Sequence, residues 1–182
     1  MLGVTAQKAV AMTSDEARQR QFQALLAENR GIVLKVAYTY SQPGEDCEDL
    51  IQDIAVQLWR SFPGYDPSRK FSTWMYRVAL NVAISNLRRT GQRNPKFVSI
   101  DGADVPELAA PEAPESDERI AFLNQFISQQ DPLNRALLLL YLEEYSYREI
   151  ADVLGISETN VATKISRLKQ RIRQEMEKEN EK

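Results

Sequence analysis

Ser146-Tyr-Arg-Glu149-Ile-Ala-Asp-Val-Leu-Gly155-Ile-Ser157-Glu-Thr-Asn-Val161 is the stretch on which the reading of this chain turns. Ser146 and Glu149 have the spacing of a capping box, in which each side chain accepts a backbone N–H at a helix start. Ile150, Val153 and Leu154 follow at helical spacing. Gly155 falls where a helix ends best on a residue that tolerates positive φ. Ser157 can then cap a second helix beginning at Glu158. Helix, short glycine-containing turn and helix make the spacing of a helix-turn-helix over residues 146–176.

The second helix carries the sharper test. Val161, Ile165, Leu168, Ile172 and Met176 recur every three or four residues and form one apolar stripe. Projection at about 100° per residue sets Thr159, Asn160, Thr163, Ser166, Arg167 and Gln170 opposite that stripe. Lys164 and Arg171 border this polar face on one side, Lys169 and Arg173 on the other. Short polar groups for base edges, flanked by cations for phosphates, are what a major-groove helix requires. The competing reading is an amphipathic bundle helix with a solvated face. No acid lies between Glu158 and Glu175, however, and ordinary surface helices mix signs.

Working outward, residues 95–117 hold Pro95, Pro106, Pro111 and Pro114 among acids and alanines, with little apolar periodicity. Such a segment reads as an extended acidic linker. It parts a leader (1–14, expected to be loose, with Met12 as an alternative start) and a first unit (15–94) from a second unit (118–178). Strand alternation is hard to find, so the fold class is all-α: two small helical domains on a flexible linker. Phe22, Leu25, Leu26, Ile32, Val33, Val36, Ala37 and Tyr40 recur at helical spacing, then Leu50, Ile51, Ile54, Leu58 and Phe62. Pro63-Gly-Tyr-Asp-Pro67 marks a turn, and a further helix spans Phe71 to Arg89. Ile120–Ile127 and Pro132–Glu143 read as two more helices, with Pro132 suited to a first turn.

Composition narrows the function. The 182 residues contain no histidine and one cysteine, Cys47, so the commonest general base and any internal disulfide are both absent. No phosphate loop, paired-cysteine motif or nucleophile elbow occurs; no catalytic residue, metal site or cofactor is expected. The first fourteen residues suit neither a signal peptide nor a membrane span, and the cytoplasm is the expected compartment. The net charge of −3 hides segments of opposite sign. Arg60 to Lys96 is basic but for Asp66, and Lys164 to Arg173 holds five cations and no acid. Acidic blocks occupy Glu45–Asp53 and Asp101–Glu118. Two separate basic surfaces remain.

One of them lies in the first unit. Thr73, Arg77, Asn81, Ser85 and Arg88, with Arg89 beside them, form a polar stripe opposite Phe71, Trp74, Met75, Val78, Ala79 and Val82. The preceding loop brings Tyr65, Arg69 and Lys70. Aromatics beside cations suit unpaired bases, although Phe71 and Trp74 fit a core better than a base-stacking platform. The acids at Glu45–Asp53 suit a helix first turn and are not placed around one point. Cys47 reads as a small packed residue.

Together these motifs resemble the extracytoplasmic-function (ECF) sigma factors of bacteria. Asp49-Leu-Ile-Gln-Asp-Ile-Ala-Val-Gln-Leu-Trp59, Phe71 through Asn81 to Leu87-Arg-Arg89, and Leu138 to Arg173 are each similar to a segment of that family, in order and correctly spaced. The resemblance implies a sigma-2 type bundle of three to four helices, a sigma-4 type helix-turn-helix domain, and no catalysis. It implies that Asp49, Gln52, Asp53 and Val56 dock on the clamp coiled coil of core RNA polymerase. Tyr65, Arg69, Lys70, Thr73, Arg77, Asn81, Ser85, Arg88 and Arg89 would melt and read the −10 element. Thr159, Asn160, Thr163, Lys164, Ser166, Arg167, Gln170 and Arg171 would read the −35 element in duplex DNA. An anti-sigma factor is a further partner that the family admits. Leu80 departs from a common arginine, and Thr159-Asn160 and Ala162-Thr163 from common Gly-Thr and Lys-Ser; these leave the promoter sequence open. The rival functions are a stand-alone helix-turn-helix regulator with an N-terminal sensor or dimerisation domain, and an adaptor that never touches DNA.

Overall fold

A computed structural model describes residues 3–41, 45–90 and 118–180 of the chain, and side chains within 15–41, 46–89 and 119–178. The expected linker, 95–117, lies outside the described residues. Among those described there are helices and one 3-10 turn, and no strand.

The first unit holds α1 (Gly3–Glu28), α2 (Arg30–Tyr40), α3 (Glu45–Ser61), a 3-10 turn (Phe62–Gly64) and α4 (Phe71–Thr90). α1 thus begins inside the stretch expected as a loose leader. Asn29 stands between α1 and α2, its side-chain amide donating to Leu25 O at 2.9 Å beside its own backbone N–H at 3.2 Å. Val33, Val36, Ala37 and Tyr40 of α2 meet Leu50, Ile54 and Leu58 of α3, and Met75, Ala79 and Ala83 of α4, in the buried core. The four-residue spacing within each set is what one helix face provides. An aromatic cluster closes the end of this bundle: Phe62 lies 5.1 Å from Phe22, 6.2 Å from Trp74 and 6.0 Å from Tyr65, centroid to centroid.

The second unit comprises α5 (Glu118–Ser128), α6 (Pro132–Leu142), α7 (Tyr147–Leu154) and α8 (Glu158–Asn180). Pro132 opens α6 as expected, behind Asp131, whose carboxylate accepts from Leu133 N at 3.1 Å and Asn134 N at 3.0 Å. Ile150, Val153, Val161, Ile165 and Leu168 bury against Ala136, Leu137 and Leu140.

The two units abut. Tyr40 donates its hydroxyl to Pro132 O at 2.6 Å. Arg135, 2 % exposed, spends its guanidinium on Gln130 O, Ser128 O and Thr39 O, the last across the seam. Lys35 pairs with Glu143, and Lys70 with Glu149 at 2.7 Å. Tyr76 meets Tyr145 edge-on at 5.3 Å, and its buried hydroxyl has no hydrogen-bond partner among the described residues. Removal from water pushes that phenol's pKa up.

This seam corrects one expectation. Tyr76 and Leu80 are buried, whereas Trp74, Val78 and Val82, expected on the apolar face, are only half-buried. α4 is covered by α2 and α3 on one side and by α7 on another, so its buried arc is wider and rotated from the one its own periodicity marks.

Candidate nucleic-acid interface

The helix-turn-helix forms as its residues dictate. Ser146 and Glu149 make the capping box: Glu149 N donates to Ser146 Oγ at 3.3 Å, and Ser146 N to Glu149 Oε2 at 3.0 Å. Gly155 ends α7 at φ 67°, in the left-handed region, and its N–H reaches Ala151 O. Ser157 Oγ accepts from Asn160 N at 3.2 Å and starts α8. With Val161, Ile165 and Leu168 turned inward, Thr159, Asn160, Thr163, Ser166, Arg167 and Gln170 are all exposed, and Lys164 half-buried beside them. Thr163 donates its hydroxyl to Thr159 O at 2.9 Å.

The flanking cations behave differently. Arg171, expected on DNA, donates from Nη1 to Gln130 Oε1 at 3.0 Å, and its guanidinium lies 5.7 Å from the Phe126 ring centre. Lys169 sits 4.3 Å over the ring of Tyr141. The first is drawn toward α5 and the second toward α6, while Arg167 is exposed and absent from the ion pairs among the described residues.

In the first unit, Arg69, Arg77, Asn81, Ser85 and Arg88 are exposed, and Thr73 is half-buried. Tyr65 shapes its loop: its hydroxyl donates to Arg69 O at 2.8 Å and its ring packs 5.3 Å from Trp74. Asp66 accepts from Ser68 N at 2.9 Å, and the Ser68 hydrogen bonds lower its pKa. Phe71 is core, while Trp74 stays half-exposed at the cluster's edge. Lys70 is turned to Glu149, and Arg89 leans to Asp53 of α3 at 3.9 Å.

Asp49, Gln52, Asp53 and Val56 are all exposed on α3. Sequence reasoning missed two neighbours of this set. Trp59 is 40 % exposed, beside Val56 at 47 %, and the three-residue step between them is the signal that would have found it. Gln57 lies one turn beyond Asp53, and both line an open groove of about 500 Å³ with Asn81, Ser85 and Arg89 of α4. Asp53, expected at polymerase, and Asn81, Ser85 and Arg89, expected at the −10 element, therefore share one groove, which no linear spacing revealed. Among the described residues no group of three or more acids or cysteines is placed to hold a metal ion, and no helix is long and apolar enough to cross a membrane.

Comparison with known proteins places each unit. The Sigma-70 region 2 family model matches residues 25–93, and Sigma-70, region 4 matches residues 131–172. The ECF RNA polymerase sigma factor SigE of Mycolicibacterium smegmatis is 30% identical over 164 residues, covering 88% of this chain and 63% of that protein. The RNA polymerase sigma-H factor of Pseudomonas aeruginosa is 28% identical, with 85% of each covered. Solved structures share the fold, two of them sigma factors bound to a partner. One is the sigma factor RpoE in complex with the anti-sigma factor NepR from Bartonella quintana (TM-score 0.67, 17% identity, 87% of this chain and 98% of that one). The other is CnrH in complex with the cytosolic domain of CnrY (TM-score 0.61, 22% identity, 87% and 89%). By both of its domains and by its relatives, the chain belongs to the ECF RNA polymerase sigma factors.

Proposed function

We propose that this chain binds core RNA polymerase in the bacterial cytoplasm and directs it to promoters through −10 and −35 contacts, without itself catalysing a reaction. The carrying observation is one polypeptide with two outward polar and basic faces: Arg77, Asn81, Ser85 and Arg88 on α4, and Thr159, Asn160, Ser166, Arg167 and Gln170 on α8. A stand-alone regulator needs only the second. Small polar groups on α8 meet base edges while Arg167 reaches guanine or phosphate. The loop and helix from Tyr65 to Arg88 hold melted strand, with Trp74 at the rim as a stacking surface. Asp49, Gln52, Asp53 and Val56, joined by exposed Trp59, form the polymerase face, acidic and polar at its N-terminal end and apolar at its C-terminal end. An anti-sigma protein is a further proposed partner, as NepR is for its structural neighbour.

This reading requires the units to part. The −10 and −35 elements lie about 25 base pairs apart, or about 85 Å at about 3.4 Å per pair. Lys70 and Glu149, one in each grip, are in contact at 2.7 Å.

The test is specific transcription from supercoiled promoter DNA by purified core polymerase with this chain. Gln52→Lys is expected to weaken polymerase binding. Arg88→Ala and Arg167→Ala are expected to cut specific transcripts about tenfold or more with the fold intact, the loss of one good base or phosphate contact. Wild-type levels from both arginine variants would contradict the assignment.

A further inference from the structure

Gln130 is 4 % exposed, one of two buried polar or charged residues among the described residues, and its polar groups are engaged. Its Nε2 donates to Phe126 O at 2.9 Å, its backbone O accepts from Arg135 Nε at 2.9 Å, and its Oε1 accepts from Arg171 Nη1 at 3.0 Å. A buried amide oxygen with no donor costs about 1–3 kcal/mol, so this arrangement holds the arginine in place as much as the arginine satisfies it. The same guanidinium faces Phe126 of α5. On the other side of α8, Lys169 caps the ring of Tyr141 from α6, and Tyr141 in turn lies 6.4 Å from Tyr147 at the start of α7. The two cations, two residues apart on one helix, are thus tied to different supporting helices. A helix held at two such points can neither roll about its axis nor tilt freely, and base-edge contacts depend on both angles.

We propose that Arg171 and Lys169 are positioning residues that set the roll and tilt of the recognition helix, and are not phosphate contacts. The proposal rests on the reading that α8 enters the major groove, and it sharpens that reading by removing two cations from the DNA side.

Salt dependence separates the roles. Each phosphate contact steepens the fall of log affinity with log salt by about 0.9, and its removal weakens all sequences alike. A positioning residue carries no such slope; its removal lowers specific binding and spares non-specific binding. The full chain with core polymerase is assayed on two duplexes at several salt concentrations. One carries the −35 sequence that the wild-type holoenzyme selects from a randomised pool, and the other is random-sequence duplex. Arg171→Gln is expected to lower specific affinity about tenfold, the scale of one disturbed base pair, with non-specific affinity and salt slope unchanged. Lys169→Gln should behave alike. Gln130→Met, which removes the acceptor without removing charge, should reproduce the Arg171→Gln loss, and the double variant should be no worse than either. A slope shallower by about 0.9 in Arg171→Gln, or an unchanged ratio of specific to non-specific affinity, would overturn the proposal. If Gln130→Met does not fold, the Arg171→Gln slope still decides. A wild-type holoenzyme that selects no −35 sequence overturns the reading of α8 itself, which failure of the variants alone would leave standing.

Discussion

Gly155 shows how much one residue carries. It sits at φ 67° between α7 and α8, where an L side chain meets the following carbonyl. Its Cβ position is otherwise empty, so the cost of substitution is conformational and not steric. Gly155→Ala is expected to destabilise the protein by about 1–2 kcal/mol, read from urea unfolding of the full chain. A loss well below that would mean the turn relaxes to another conformation. Arg135 is the opposite case, a buried cation without a carboxylate. Three backbone carbonyls satisfy it instead, and burial lowers its pKa while leaving it charged.

At the scale of the element, α7 depends on its cap. Glu149 is held at about 2, first by the hydrogen bond from Lys70 and then by those from Ser146. A carboxyl whose folded pKa is depressed stabilises the fold above its unfolded value, about 4.3, and that stability is lost as pH falls toward the folded value. The thermal midpoint of the wild type is therefore expected to exceed that of Glu149→Gln at neutral pH. Between about pH 4.5 and 2 the two midpoints should converge. Glutamine still serves a capping box, so the variant removes the charge and keeps the helix start. A gap that persists to pH 2 would show that the stabilisation is not ionic. Ser146→Ala removes the other half of the box and should cost about 1 kcal/mol.

For the whole molecule, the prediction concerns separation of the units. Fluorophores on exposed Arg60 of α3 and Asp152 of α7 should transfer energy efficiently in the free chain, because α4 and α7 are packed together. Transfer should fall on addition of core polymerase and promoter duplex, as the two grips reach sites about 85 Å apart. Unchanged transfer in a transcribing complex would exclude simultaneous use of both faces. Among the described residues the seam contains two rim ion pairs beside its buried hydrogen bonds, and such rim pairs contribute little each.

The helices, their caps and the exposed face of α8 were legible in the sequence because they rest on local rules. Capping hydrogen bonds span three residues, a left-handed turn needs a glycine, and apolar residues at steps of three and four mark one face of one helix. The polar stripe of α4 was legible on the same ground. What only the tertiary structure decided concerns residues far apart in the chain. Tyr76 is buried with Tyr145 of the second unit set edge-on against its ring. Lys70 and Arg171, equally cationic on paper, are drawn to Glu149 and Gln130 by neighbours 79 and 41 positions away. Periodicity reports which way a side chain leaves its own helix; it does not report what it meets there, and that meeting separates cations free for DNA from those that hold the reading helix in place.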